Sequence, residues 1–215
     1  MYLPAHFEEK RTEVLHALIR SHPLGTLITQ DLDGALQADP IPFLIEPAPD
    51  ATRCTLRGHV ARANPLWRET RGDVDALVVF QGAQSYISPG WYPSKAEHGK
   101  VVPTWNYIVV QARGRLRAIE DPVWLRALVA RLTERHEARQ DKPWRIDDAP
   151  PDYIETMLGA IVGIEIELAA LVGKWKVTQN RSLADRAGVA TGLTALAARD
   201  GDAEAAAMAA EVSRR

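Results

Sequence analysis

The sequence predicts a mainly β protein, an antiparallel barrel with flanking helices, and three observations carry that prediction. At least six segments have strand composition. They do not alternate regularly with helices, as a doubly wound parallel sheet would require. Residues 161–177 set Ile164, Ile166 and Leu168 against Glu165 and Glu167, the period of two of a half-exposed antiparallel strand. With 215 residues and 46% hydrophobic content the chain can bury a sizeable core. It is expected as one domain over residues 1–215, with an N-terminal helix at about 8–21 and a C-terminal helical appendage at about 181–215.

The opening helix rests on Val14, Leu15, Leu18 and Ile19 at helical spacing, stopped by His22-Pro23. Residues 24–30 read as a strand, 31–34 (Asp-Leu-Asp-Gly) as a turn, and 35–46 as the returning strand of a hairpin. Pro40 and Pro42 lack backbone donors, which places that return at an edge or a bulge. A loop at 47–51 leads to a strand at 52–60, and Asn64-Pro65 opens a short helix. Residues 75–81 form an apolar strand that 85–88 extend beyond Gly82, until Pro89-Gly90 turns the chain. Residues 101–120 suit two strands or one bent strand. Asp121-Pro122 caps a helix to about 140 whose apolar face holds Trp124, Leu125, Leu128, Val129 and Leu132. After a polar connector at 142–151 and a short helix at 152–158 comes the strand at 161–177. The alanine-rich remainder reads as helical.

A formal charge of -2 gives no bulk reason to bind nucleic acid or an anionic membrane. Cys54 is the only cysteine, and the first residues lack the basic start and apolar run of a signal peptide, so a reducing cytoplasm is expected. The longest apolar run, 161–172, is short and interrupted by Glu165 and Glu167, so no membrane span is expected. The six histidines show no zinc-ligand spacing, and no metal site is expected. A Walker loop, a Gly-x-Gly-x-x-Gly fingerprint and a Gly-x-Ser-x-Gly elbow are all missing from the sequence, and no catalytic side chain is assigned.

Three strands place paired polar groups on one face: Arg57 with His59, Thr104 with Asn106, and Lys174 with Lys176. Converging, they would suit a dianionic phosphate monoester, which wants charge and several hydrogen bonds together. Each pair alone reads more readily as the solvent face of a sheet. Beside them Trp105, Tyr107, Trp175 and the run Ser85-Tyr86-Ile87-Ser88 offer the apolar bed that a planar heteroaromatic ring needs. Trp105 or Trp175 alone reads as core. Gln179, Asn180 and Arg181 add amides and a guanidinium just after Lys176.

Five collinear blocks resemble the PaiB-like FMN-binding negative transcriptional regulators: Met1-Tyr2-Leu3-Pro4-Ala5-His6-Phe7, Leu56-Arg57-Gly58-His59-Val60-Ala61-Arg62-Ala63-Asn64-Pro65, residues 80–92, Val102-Pro103-Thr104-Trp105-Asn106-Tyr107, and Gly173-Lys174-Trp175-Lys176 through Asn180-Arg181. The resemblance implies a split β-barrel of the pyridoxamine-phosphate-oxidase type, FMN as cofactor, and a homodimer with its flavin sites at the subunit interface. Carried onto the matching blocks, it marks His59, Asn64, Ser85, Ser88, Thr104, Trp105, Asn106, Lys174, Lys176, Gln179 and Arg181 as cofactor-binding candidates, to which the paired polar groups add Arg57. The chain departs from the common wording at Gln84-Ser85 and at Gln111.

The family name raises DNA reading and redox sensing. Residues 182–193 resemble the turn of a helix-turn-helix, but no supporting helix is predicted before them and Thr191 to Ala198 carry no basic residue. A helix packed on the barrel is the simpler reading. The alternatives are a flavin-dependent oxidoreductase, of reductase or oxidase type, in which flavin supplies the chemistry, and a haem-handling barrel using His59 or His98.

Overall fold

The computed structural model describes residues 1–47 and 54–214. Its strands are β1 (Glu8–Glu9), β2 (Leu24–Gln30), β3 (Leu36–Pro42), β4 (Leu44–Pro47), β5 (Cys54–Ala61), β6 (Ala76–Ile87), β7 (Thr104–Ile119) and β8 (Ile161–Lys176). The helices are α1 (Thr12–Ser21), α2 (Leu66–Glu69), α3 (Ser94–His98), α4 (Pro122–Glu137), α5 (Pro151–Gly159), α6 (Leu183–Asp200) and α7 (Ala203–Ser213). The strands form one sheet in the order β3-β2-β6-β7-β8-β5-β4, with β1 added to β8. The chain groups into two compact units, one of Ile19–Phe80 and Gln111–Leu171, the other of Met1–Leu18, Gln81–Val110 and Val172–Arg215. Among the described residues no helix is long and apolar enough to cross a membrane.

In the first unit the strand order begins on β3 and ends on β4, which the chain joins through Phe43 alone. The two ends of the ribbon are thus covalently adjacent, as closure into a barrel requires. Phe43 is buried, its N–H donates to the Pro23 carbonyl (2.8 Å), and its ring meets Phe80 edge to face. The returning arm expected at 35–46 is therefore two strands rather than one. Pro40 and Pro42 lie on β3, at the end of the strand order, where a missing donor costs no ladder bond. Asp31 holds the hairpin turn by accepting from the N–H groups of Asp33 (3.0 Å) and Ala35 (2.8 Å). The end of the expected 47–51 loop and the start of the 52–60 strand, residues 48–53, lie outside the described residues.

Helix α4 starts where Asp121 accepts from Val123 (2.8 Å) and Trp124 (3.3 Å). Its buried side is split between two apolar clusters: Leu125 packs with Ile146, Ile154 and Leu158, while Leu128 and Leu132 pack with Leu44. On β8, Glu167 faces solvent as the alternation requires, but Glu165 is buried. The reason is two arginine partners, Arg57 and Arg117, which replace the water a carboxylate would otherwise need.

In the second unit the N-terminal helix starts later than the apolar spacing suggests. Residues 8 and 9 form β1, with Glu8 opposite Lys174 and Glu9 opposite Gly173. Arg11 then closes onto the buried Glu9 carboxylate (2.9 and 2.7 Å), and α1 begins only at Thr12. The segment expected to end 85–88 does so at a 3₁₀ turn, Pro89–Trp91, with Ser88 accepting from the Gly90 N–H (3.1 Å). Helix α6, capped by Ser182, runs unbroken through the presumed glycine turn at 182–193, so no helix-turn-helix forms there. Gly188 and Gly192 serve close packing instead. A Cβ at Gly188 would stand 2.1 Å from the Trp91 carbonyl oxygen, and one at Gly192 would stand 2.4 Å from the Trp91 ring. Gly201, with φ of 67°, ends α6, and α7 buries Ala205, Met208, Ala209 and Val212.

Candidate cofactor site

The second unit holds a polar pocket of about 120 Å³, lined by Thr104, Asn106, Lys176, Thr178, Arg181 and Tyr92, with Asn180 and the loop at Val102-Pro103. Strand pairing supplies its walls: Thr104 and Asn106 share one face of β7, and Lys176 ends β8. Lys176 Nζ donates to Thr104 Oγ1 and to the Trp105 carbonyl, each at 2.6 Å. Asn106, fully buried, donates from Nδ2 to Thr178 Oγ1 (2.6 Å). Burial first, and the like charge of Lys174 second, lower the Lys176 pKa below the ordinary lysine value, while Tyr107 opposes the shift.

Two features of the wall are costly unless something gains from them. Thr178 has φ of 69°, a left-handed backbone that a β-branched side chain disfavours. It is held there by Asn106 and by Arg181, whose N–H donates to the Thr178 carbonyl (3.0 Å). Tyr92 is buried, and its hydroxyl has no aligned hydrogen-bond partner among the described residues. The Arg181 guanidinium lies over the Tyr92 ring at 5.2 Å. Burial pushes the Tyr92 phenol pKa up, against the nearby Arg181 charge.

The predicted residues divide by what their polar atoms already do. Thr104, Asn106, Lys176 and Arg181 come together in this pocket. Trp105, between Thr104 and Asn106 on β7 and so on the other face of the strand, does not line the pocket; it is 55% exposed, edge to face with the exposed Tyr86 at 6.2 Å. Trp175, by contrast, is core. Lys174 is buried, donates to the Tyr2 carbonyl (3.1 Å), and lies 5.1 Å from the Tyr107 ring. Gln179 clamps its own turn, donating to the Trp175 carbonyl and accepting from the Val177 N–H (2.8 Å). Ser85 is buried and donates to the Tyr86 carbonyl over a long 3.3 Å, and Ser88 caps its 3₁₀ turn. Sequence reasoning passed over Tyr92 and Thr178. Nothing in the sequence marks a threonine as left-handed, whereas Tyr92 closes the 80–92 block.

Arg57, His59 and Asn64 belong to the other unit. Arg57 is ion-paired to Glu46 (2.6 Å) and Glu165 (2.8 Å). Asn64 donates to Asp39 (3.0 Å) and accepts from the Leu66 N–H (2.9 Å). His59 is half-buried; its Nδ1 has no hydrogen-bond partner among the described residues, and burial lowers its pKa. His98 accepts from the Lys100 N–H (3.0 Å) at an exposed helix end.

The donor set of the pocket suits a phosphate monoester. It offers an ammonium, a guanidinium, a threonine hydroxyl and amides, with no carboxylate among the lining residues. Its volume suits a phosphate group rather than a whole cofactor, since sites for entire small molecules run to several hundred Å³.

Residues 1–170 match the family described as "Putative FMN-binding domain". An "Uncharacterized protein" of Emericella nidulans is 34% identical over 226 residues, covering 89% of this chain and 90% of that protein. The "Protease synthase and sporulation protein PAI 2" of Bacillus subtilis is 32% identical over 185 residues, covering 86% and 85%. Among solved structures, a flavocytochrome of Azotobacter vinelandii aligns with a TM-score of 0.57 at 15% identity, covering 79% of this chain and 69% of that one. The "FAD and Heme binding protein" of Mycobacterium smegmatis aligns with a TM-score of 0.56 at 17% identity, covering 79% and 73%. At such identities the likeness is one of fold, and with the closed strand order it makes this a split β-barrel. The family match and the relatives above 30% identity together place the chain in the FMN-binding split-barrel family that includes Bacillus subtilis PaiB, a family whose cofactor is FMN.

Proposed function

We propose that the chain is a cytoplasmic, homodimeric FMN-binding regulator whose FMN phosphate enters the pocket around Lys176 and Arg181. The observation that carries the phosphate assignment is that pocket's cationic donor set, free of lining carboxylates and walled by the buried Tyr92. In this reading Lys176 and Arg181 neutralise the phosphate, Thr104 and Asn180 add hydrogen bonds, and Asn106 fixes the strained Thr178 that shapes the wall. A second copy of the chain covers the flavin ring. Bound FMN supplies reversible electron chemistry, the basis of a redox-sensing output. The relation to PAI 2 supports the regulatory reading. Since α6 is continuous, DNA contact, if direct, uses another surface.

The test is an FMN titration followed by absorption and light scattering. A yellow complex on a dimer-sized particle is the expected result; no uptake at micromolar flavin overturns the cofactor assignment, and a monomeric flavin complex overturns the dimer. Salt-dependent promoter binding supports the regulator. Bleaching of the bound flavin by NAD(P)H without DNA binding supports the oxidoreductase instead.

A further inference from the structure

The unit that contains α4 and α5 holds a cavity of about 760 Å³, bounded by α4, α5 and the 3₁₀ turn Ile146–Asp148. Its size lies within the range of small-molecule sites, roughly 300–1,000 Å³. The floor is Leu125, Ile146 and Leu158, all buried members of one apolar cluster. No residue assigned to FMN lines it.

Charge at the rim is unequal. Arg62 pairs with Glu120 (2.6 Å), and Arg126 with Asp147 (2.9 Å). The Arg62 guanidinium also donates to the carbonyls of Gly159 (2.8 Å) and Ile161 (3.2 Å), so it is held against the chain and is not free to turn toward an anionic guest. Glu155, on α5, lines the same cavity and has no ion-pair partner among the described residues. Two cations face three carboxylates, leaving one negative charge uncompensated above an apolar floor.

We propose that this cavity is a binding site for a lipophilic cation, its apolar body on the Leu125–Ile146–Leu158 floor and its positive charge at Glu155. The assignment is independent of the flavin reading, because cavity and phosphate pocket share no residue. Anionic amphiphiles are disfavoured: the arginines that would receive them are already paired.

Tetraphenylphosphonium and tetraphenylborate, nearly the same in shape and opposite in charge, test this directly by calorimetry on the full chain. The phosphonium should bind more tightly by about fivefold or more, the effect of one solvent-accessible charge at contact distance. Glu155→Gln should abolish the preference and Glu155→Lys should reverse it. Ala127→Trp, at an exposed position on the cavity wall, should remove binding of both ions while the melting temperature and FMN uptake stay as in the wild type. Equal affinity for the two ions, binding of neither, or phosphonium binding that survives unchanged in both Glu155→Lys and Ala127→Trp would overturn the proposal.

Discussion

Two basic clusters that look alike in the sequence are opposite in electrostatic state. In the first unit Arg57, Arg117 and Arg131 meet two carboxylates: Arg57 bridges Glu46 (2.6 Å) and Glu165 (2.8 Å), Arg117 closes on Glu165, and Arg131 closes on Glu46 (2.8 Å). In the second, Lys176 and Arg181 line a pocket without a carboxylate in its wall. The acid that acts on Arg181, Asp185, has its own oxygens engaged by the Ser94 N–H (3.1 Å) and hydroxyl (2.9 Å). A group of basic side chains is thus paired scaffold or an open cationic wall according to whether acids converge on it from elsewhere in the chain. Composition and alternation cannot report that convergence.

The largest expected effect tests the scaffold half of this contrast. Glu165→Ala removes the acid shared by Arg57 and Arg117 and leaves the half-buried Arg57 with Glu46 alone, at a cost of about 1.5–3 kcal/mol. Urea denaturation should show the loss as a lower midpoint at unchanged slope. FMN affinity of the folded fraction should not change, since Glu165 lines no part of the phosphate pocket. A variant as stable as the wild type would mean that solvent already screens the cluster and that its geometry carries no stability.

The same distinction explains how much was legible in advance. The apolar strands, the Asp121 cap, the edge position of Pro40 and Pro42 and the terminal helices follow from local pattern, and the structure has them. Glu165 broke the alternation because its partners lie 48 and 108 residues away in the chain. The helix expected at 8–21 begins late for a related reason, the pairing of Glu8 and Glu9 with a strand end far along the sequence. Within the candidate site, Thr104, Asn106, Lys176 and Arg181 were readable as strand-borne polar groups near aromatics. Thr178 was not, because its backbone conformation is imposed by Asn106 against its own preference. Gly188 and Gly192 suggested a turn, yet their small size serves the approach of Trp91 to a straight helix.

The site half of the contrast is tested by comparing three arginine and lysine variants. Lys176→Ala and Arg181→Ala each remove a charged donor and should weaken FMN by about 10–100-fold, the size of one charge-assisted hydrogen bond of 1.5–3 kcal/mol. Arg57→Ala should lower stability, as its two salt bridges require, while FMN affinity measured on folded protein stays within about twofold. Fluorescence quenching of free FMN reads all three. An Arg57→Ala loss as large as that of Lys176→Ala would merge the two clusters into one functional set.

The smallest expected effect concerns protons, and it separates the ammonium at position 176 from every other group in the pocket. Because burial lowers the Lys176 pKa from the ordinary 10.5, its charge is lost at a lower pH than that of a solvated lysine. Two consequences of opposite sign follow. Between the lowered value and 10.5 the unfolded chain binds more protons than the folded one, so the Lys176 contribution to stability rises with pH across that window. FMN affinity falls across the same window, since the phosphate loses its ammonium partner; equivalently, binding there takes up a proton. Lys176→Arg keeps a charge that does not titrate in this range and should hold its affinity on the alkaline side, whereas the wild type declines. Any titration of the flavin itself persists in both proteins, so the difference between their pH profiles isolates the lysine. If the two profiles run parallel, Lys176 does not touch the phosphate, and the lining of the pocket must serve another anion.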